Sequence, residues 1–166
     1  MEPSDRLESE PGNAPGSDFE SSNFRAARSI ETVLVGVDGS TDAFCALEWS
    51  ILLARCCGAR VLAVHAAGLL TNLPENGNLP SQSHRRDLER ALDDWCSPLS
   101  TSGVVHSKLL EDGPPVLVLS QIGARAKADV IVVGRGNGTG REVILGSTSL
   151  ELVESSPIPI VIVPPA

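Results

Sequence analysis

The chain has no tyrosine, only 3% aromatic residues, one methionine and, in 166 residues, only two lysines, Lys108 and Lys127. So few flat rings exclude a surface of stacked aromatics of the kind that grips single-stranded nucleic acid. Thirteen Lys+Arg against 21 Asp+Glu leave a formal charge of −8, so no net positive field gathers polyanions. General nucleic-acid binding is excluded on both counts. No run of 18 apolar residues occurs, and the first residues have neither the basic start nor the apolar stretch of a signal peptide. A soluble, cytoplasmic protein is expected. Cysteine is scarce and unpaired by spacing: Cys56-Cys57 is neither a CxxC redox pair nor a metal-ligand spacing. With Cys45 these two sit in or at the end of one apolar run, and Cys96 follows Trp95. All four are expected to be reduced structural thiols that behave as small hydrophobes.

What is present is enough apolar material for one real core, at 42% of residues. The acidity is concentrated at one end. Met1–Ser22 carries Glu2, Asp5, Glu8, Glu10, Asp18 and Glu20 against Arg6 alone, among Pro3, Pro11, Gly12, Pro15 and Gly16. Such a segment cannot bury enough apolar surface to offset its chain entropy. Residues 1–29 are therefore expected to be a disordered acidic tail, and residues 30–166 a single domain.

From Glu31 onward the pattern alternates. Thr32–Val37 is a β-branched run apolar on both faces, as a central parallel strand must be. Ser40 or Thr41 can cap a helix over Ala43–Cys57, closed by Gly58, with Phe44, Leu47, Ile51 and Ala54 inward and Glu48 and Arg55 wet. Arg60–Ala66 reads as a second strand. After a polar loop over Gly68–Ser83, the positions Leu88, Leu92, Trp95 and Leu99 mark one face of an amphipathic helix that Pro98 should end or kink. Val104–Leu110 is a third strand, Pro114-Pro115 a helix start, Asp129–Val133 a fourth strand, Leu145–Glu154 a short helix and Ile158–Val163 a fifth strand. The fold class is α/β: a single doubly wound, Rossmann-like, five-stranded parallel sheet with helices on both faces. Ligands of such sheets sit at the carboxyl ends of the strands, where the strand order reverses.

The richest stretch at those ends runs from Gly134, Arg135 and Gly136 through Gly138 and Gly140 to Gly146-Ser147-Thr148-Ser149. Alternating glycines let a backbone approach a ligand closely, and a helix opened by Gly146-Ser147 offers free N–H groups to an anion. Arg135 and Arg141 could add charge. A flexible loop followed by an ordinary serine-capped helix has the same residues, and spacing alone does not separate the two. GxxxxGK[ST] and GxGxxG are both absent. Asp38, ending the first strand, can accept from a ribose or adenine group, bind a metal, or serve as a turn acid. Asp38-x-x-x-Asp42 lacks the DxD arrangement of a phosphotransferring aspartate. His65 closes the second strand, where a hydrogen-bonded histidine is the common case; His84 and His106 read as surface or satisfied residues. No Ser/His/Asp or Cys/His constellation assembles, so no enzyme is expected.

These residues resemble a known family. Val35-Gly36-Val37-Asp38-Gly39-Ser40 resembles the first-strand signature of universal stress protein (UspA-like) domains, and Val61–Ala66 their second strand. Glu111-Asp112-Gly113-Pro114 is similar to their turn after strand three, and Ala128–Gly134 to strand four. Leu145–Ser149 and Pro157–Val163 resemble the family's ending, so the likeness spans residues 30–164. Nucleotide-binding members carry G-x2-G-x9-G-[ST]. Here Gly136-x9-Gly146-Ser147 fits the second half, while Gly134 and Gly136 enclose only Arg135, one residue too few. The resemblance implies an ATP- or other adenine-nucleotide-binding stress-response module, with or without Mg²⁺, with cyclic AMP or no ligand as variants. It implies phosphate contacts from Gly136, Gly146, Ser147 and Thr148 or Ser149, with Gly134 and Arg135 beside them. Asp38 and Ser40 would lie on the base and ribose side, Gly36 would leave room for the ring, Ala66 would stand where the family often has an adenine-contacting valine, and Gly113 would lie near the ribose. It also implies a homodimer through the last strand, Ile158–Val163, and only slow hydrolysis if any.

Overall fold

The structure is a computed structural model and describes residues 29–68, 82–136 and 145–165. The expected tail therefore lies outside the described residues except at Ser29, as do Asn137, Gly138, Thr139, Gly140 and Arg141 of the glycine-rich loop.

Among the described residues, five strands are joined by helical crossovers in the order expected of a wound sheet: β1 (Thr32–Gly36), α1 (Thr41–Cys57), β2 (Arg60–Ala66), α2 (Gln82–Trp95), α3 (Ser97–Thr101), β3 (His106–Glu111), α4 (Pro115–Ala126), β4 (Val130–Gly134), α5 (Ser147–Ser155) and β5 (Ile160–Val163). All pairings are parallel and the spatial order is β3-β2-β1-β4-β5. β1 is central, and its side chains alternate between two cores. Val33 and Val35 pack with Ala46, Leu47, Leu92 and Leu99 on one face, while Leu34 packs with Leu119, Ile122 and Leu152 on the other. This is why the run reads as unbroken apolar sequence. At the amino ends, the Asp129 carboxylate joins the first residues of β1 and β4 by accepting from the Glu31 and Thr32 amides at 2.8 and 3.0 Å.

Several sequence expectations are corrected here. The inward stripe of α1 is Ala43, Ala46, Leu47, Ser50, Ile51 and Ala54, so Phe44, one residue off that stripe, is 45% exposed. Small residues at those positions let the helix lie low on β1 and β4. Cys56 and Cys57, at the last turn of α1, have run past the sheet and are exposed; only Cys96 is a buried thiol. The amphipathic helix is divided, since α2 stops at Trp95 and Pro98 falls in the first turn of α3, where it needs no N–H partner. β3 begins at His106, two residues later than expected; Val105, just before it, is 75% exposed, and its carbonyl accepts from the Val61 amide of β2. β5 begins at Ile160, not Ile158, since Pro159 has no N–H to give to a ladder. The shifts of β1, β4 and α5 by one or two residues are of the size by which element ends fray.

Candidate functional site

The strand order reverses at β1, whose neighbours β2 and β4 lead away to opposite sides of the sheet. A cavity of ≈340 Å³ opens beyond the carboxyl ends of these three strands, the place a wound sheet offers a ligand. Its volume lies at the lower end of small-molecule sites.

Three helix N-termini border this cavity, that of α4 through Pro115, which has no N–H to offer; those of α1 and α5 differ. α1 is closed by its own side chains: Ser40 Oγ accepts from the Ala43 amide at 3.1 Å, and Asp42 supplies an acid in the first turn. α5 is capped by Gly146, which has no side chain to offer, so the first N–H groups of that helix are left for another acceptor. Gly146 is held in place by its amide, which donates to the Arg135 carbonyl at 2.8 Å. Gly136, at φ +89°, lies so close to Gly146 that a β-carbon on it would stand 2.7 Å from the Gly146 Cα. The pairing brings the glycine-rich segment onto the open helix end. Such an end is a seat for a phosphate or carboxylate.

At the other end of the cavity stand Asp38, Ala66 and His65. Asp38 Oδ1 accepts from the Ser40 amide at 2.9 Å, which makes it a turn acid as well as a cavity-lining one. His65 Nδ1 lies 2.7 Å from the Val37 carbonyl and therefore carries the hydrogen of that bond. Gly36 also lines the cavity, and Leu119 and Val133 pack against it closely: a β-carbon there would meet Leu119 Cδ1 at 3.3 Å and Val133 Cγ1 at 3.4 Å.

Of the residues expected from sequence, Gly36, Asp38, Ser40, Ala66, Gly134, Gly136, Gly146, Ser147, Thr148 and Ser149 all border this one cavity; Gly113 and Arg135 do not. Their parts differ from expectation in places. Gly134 serves helix packing, because a β-carbon on it would strike the Asp42 backbone at 2.6 Å. Ser149 is buried and its hydroxyl donates to the Gly134 carbonyl at 2.7 Å, tying α5 to β4. Gly113 is drawn into a bridge with Gly68, its amide donating to the Gly68 carbonyl. Arg135 works through its backbone, and its Nε is buried without a partner among the described residues. Reasoning from sequence missed Asp42, a buried carboxylate on the cavity wall, and Pro115 and Leu119 from α4. The signal for Asp42 was its place in the first turn after Asp38; α4 carried none, because its approach depends on the sheet's winding.

The model of the universal stress protein family matches residues 29–164. The chain belongs to that family. Among its relatives, the universal stress protein in the QAH/OAS sulfhydrylase 3′ region of Thermus aquaticus is 34% identical over 138 residues, which cover 81% of this chain and 98% of that one. A crystal structure of a universal stress protein in complex with cAMP is similar in fold at TM-score 0.65 and 22% identity, covering 83% of this chain and 99% of that one. The universal stress protein of Archaeoglobus fulgidus in complex with dAMP matches at TM-score 0.61 and 22% identity, over 81% and 98% of the two chains. In this universal stress protein, the described residues include no helix long and apolar enough to cross a membrane, and no group of three or more His, Cys, Asp or Glu placed to hold a metal ion.

Proposed function

We propose that this protein binds an adenine nucleotide as a sensing module of the stress response, and does not turn it over as an enzyme. The observation that carries the reading is the uncapped start of α5, set by Gly136 and Gly146 into the same cavity whose far end holds Asp38 and Ala66. One end suits a phosphate and the other a purine with its ribose. The ligands of the two solved relatives, cAMP and dAMP, share adenine and one phosphate and differ in the sugar and its phosphate ring. That common part is what these two ends accommodate. ATP is the fuller ligand, its phosphates met by the start of α5 at Ser147 and Thr148. Mg²⁺ would then arrive on the phosphates, with Asp38 and Asp42 the carboxylates that line the cavity among the described residues. The preference for binding over turnover rests on the sequence, in which no Ser/His/Asp or Cys/His constellation assembles.

Titration calorimetry with AMP, ADP, ATP and cyclic AMP, with and without Mg²⁺, tests the reading. Micromolar binding of at least one, lost in Ser147→Glu and weakened in Asp38→Ala, is the expected outcome. Failure of all four makes the protein a ligand-free interaction module of the same fold. Turnover above about one per second, in the range of ordinary enzymes, and lost in Asp38→Ala would make it an enzyme.

A homodimer through β5 is part of the proposal. β5 is an edge strand that pairs only with β4 among the described residues. Pro159 and Val163 give their carbonyls to the Ile131 and Arg135 amides, so by strand alternation Ile160 and Ile162 turn theirs to the open side. Pro159 thus lacks an N–H on the covered side, and the open edge keeps its donors. An apolar open edge calls for a cover, and a second β5 related by a twofold axis supplies one.

A further inference from the structure

The carboxylate at the base end of the cavity is exposed and lies on a turn, yet three contacts from elsewhere in the fold fix that turn. Val37, the residue before Asp38, has both its polar backbone groups taken by β2: its amide donates to the Val64 carbonyl at 2.9 Å and its carbonyl accepts from His65 Nδ1 at 2.7 Å. Gly39, the residue after, has φ +79° and lies against the indole of Trp95, where a β-carbon would come within 2.5 Å of Cε2 and 2.7 Å of Nε1. The two outside groups brace each other. The His65 and Trp95 rings meet edge to face, with centroids 5.1 Å apart and planes at 74°, a favoured aromatic geometry. Trp95 is itself anchored, since its neighbours on α2 and the following turn, Leu92 and Cys96, are buried in the core.

We propose that His65 and Trp95 are positioning residues that hold the Asp38 turn in the geometry which recognises the base, making the end of α2 part of the binding site. This rests on the adenine-nucleotide reading above. A carboxylate that selects one edge of a base must be held within a fraction of an ångström, and an unsupported surface turn does not do this. His65 also lines the cavity, so the Asp38→Ala background in the test below is what separates a direct contact from a contribution that runs through the turn. The glycine in Asp38-Gly39-Ser40 then has a stated purpose: it admits the indole.

The experiment has two readings on the full chain. In the ligand-free protein, amide exchange by NMR follows Ser40, whose N–H is protected only while the Asp38 turn is closed. His65→Ala and Trp95→Ala are expected to speed that exchange about tenfold or more, the worth of one hydrogen bond or ring contact, while amides of β1 and β4 keep their rates. His65→Asn, whose amide nitrogen can stand near the Nδ1 position and donate to Val37, is expected to restore protection. The second reading is AMP affinity. His65→Ala is expected to weaken it about tenfold in the otherwise native protein, and to have no effect on an Asp38→Ala background. Unchanged Ser40 exchange in both alanine variants overturns the proposal, and so does an equal loss of AMP affinity with and without Asp38. If the native protein binds none of the four nucleotides while Ser40 exchange responds as expected, the nucleotide reading falls and the brace stands.

Discussion

Gly136 and Gly146 press together so tightly that neither tolerates a side chain: a β-carbon on the first would lie 2.7 Å from the Cα of the second, and one on the second 3.0 Å from the Cα of the first. They are nine residues apart by intervening count, and the contact is what delivers the open end of α5 to the cavity. Gly136→Ala meets both the clash and a positive φ, so it is expected to cost about 1–2 kcal/mol of stability. It should weaken nucleotide binding at least about tenfold by prising the loop from the helix. Urea unfolding and calorimetry on the same variant check the two effects.

Ser147→Glu separates stability from binding by sign. A carboxylate in the first turn of α5 answers the same N–H groups and dipole that a phosphate would, so stability should hold or rise by about 0.3–1 kcal/mol. The same charge fills the anion seat and repels a phosphate, so affinity should fall more than about a hundredfold. A variant that unfolds more readily, or one that binds AMP like the native chain, contradicts the assignment of that helix end.

Much of this arrangement is legible in the sequence, for reasons that differ by element. β1 is apolar on both faces because it is covered by both cores, and that alone assigns it to the centre of a parallel sheet. Asp38, Ser40, Gly146 and Ser147 stand at strand and helix ends, so the fold class already puts them at one edge of the sheet. What periodicity does not carry is distance across the fold. Gly134 looks like its neighbour Gly136, yet one makes room for the Asp42 backbone and the other for Gly146. Cys56 and Cys57 mislead for a related cause: an apolar run marks a helix, but not where that helix outruns the sheet beneath it.

Asp129 offers a test of stability alone. Its carboxylate accepts from two backbone amides at the amino end of β1, residues far away in sequence. Asp129→Ala leaves both donors without that acceptor and is expected to cost about 1–3 kcal/mol. The site lies at the opposite ends of the strands, so nucleotide affinity should change less than about twofold. Chemical unfolding beside calorimetry reads both numbers, and a large fall in affinity would mean the strand ends are not independent.

The thiols should divide by burial. Cys56 and Cys57 are exposed and react first with a disulfide reagent at pH 8; Cys45 is half-buried and follows. Burial pushes the Cys96 thiol up from 9.0 to about 11, an effect the nearby Lys108 ammonium only partly offsets. At pH 8 that leaves on the order of one Cys96 in a thousand as thiolate, so it should react only on unfolding. The folded chain keeps this proton where the unfolded chain loses it. The stabilisation is therefore complete below pH 9 and declines as pH rises from 9 toward 11. Cys96→Ala should flatten that decline in unfolding measured across the alkaline range. An unaltered slope would assign the alkaline loss to other groups.

The open edge of β5 can be tested by removing a single hydrogen-bond donor. Ile162 turns its N–H away from β4, because the carbonyls of Pro159 and Val163 are the ones committed to that neighbour. Proline at an outward-facing edge position removes no bond from the native sheet. Ile162→Pro should therefore keep the monomer folded, at a cost of about 1–3 kcal/mol for the lost side-chain packing against α4 and α5. It also deletes a donor that a partner strand needs and puts a ring in its path. Sedimentation equilibrium should show the native chain as a dimer and the variant as a monomer at the same concentration. Val161→Pro is the matched control: Val161 faces β4, so its loss breaks the internal ladder and should destabilise the fold itself. A dimer that survives Ile162→Pro intact would move the interface away from this edge.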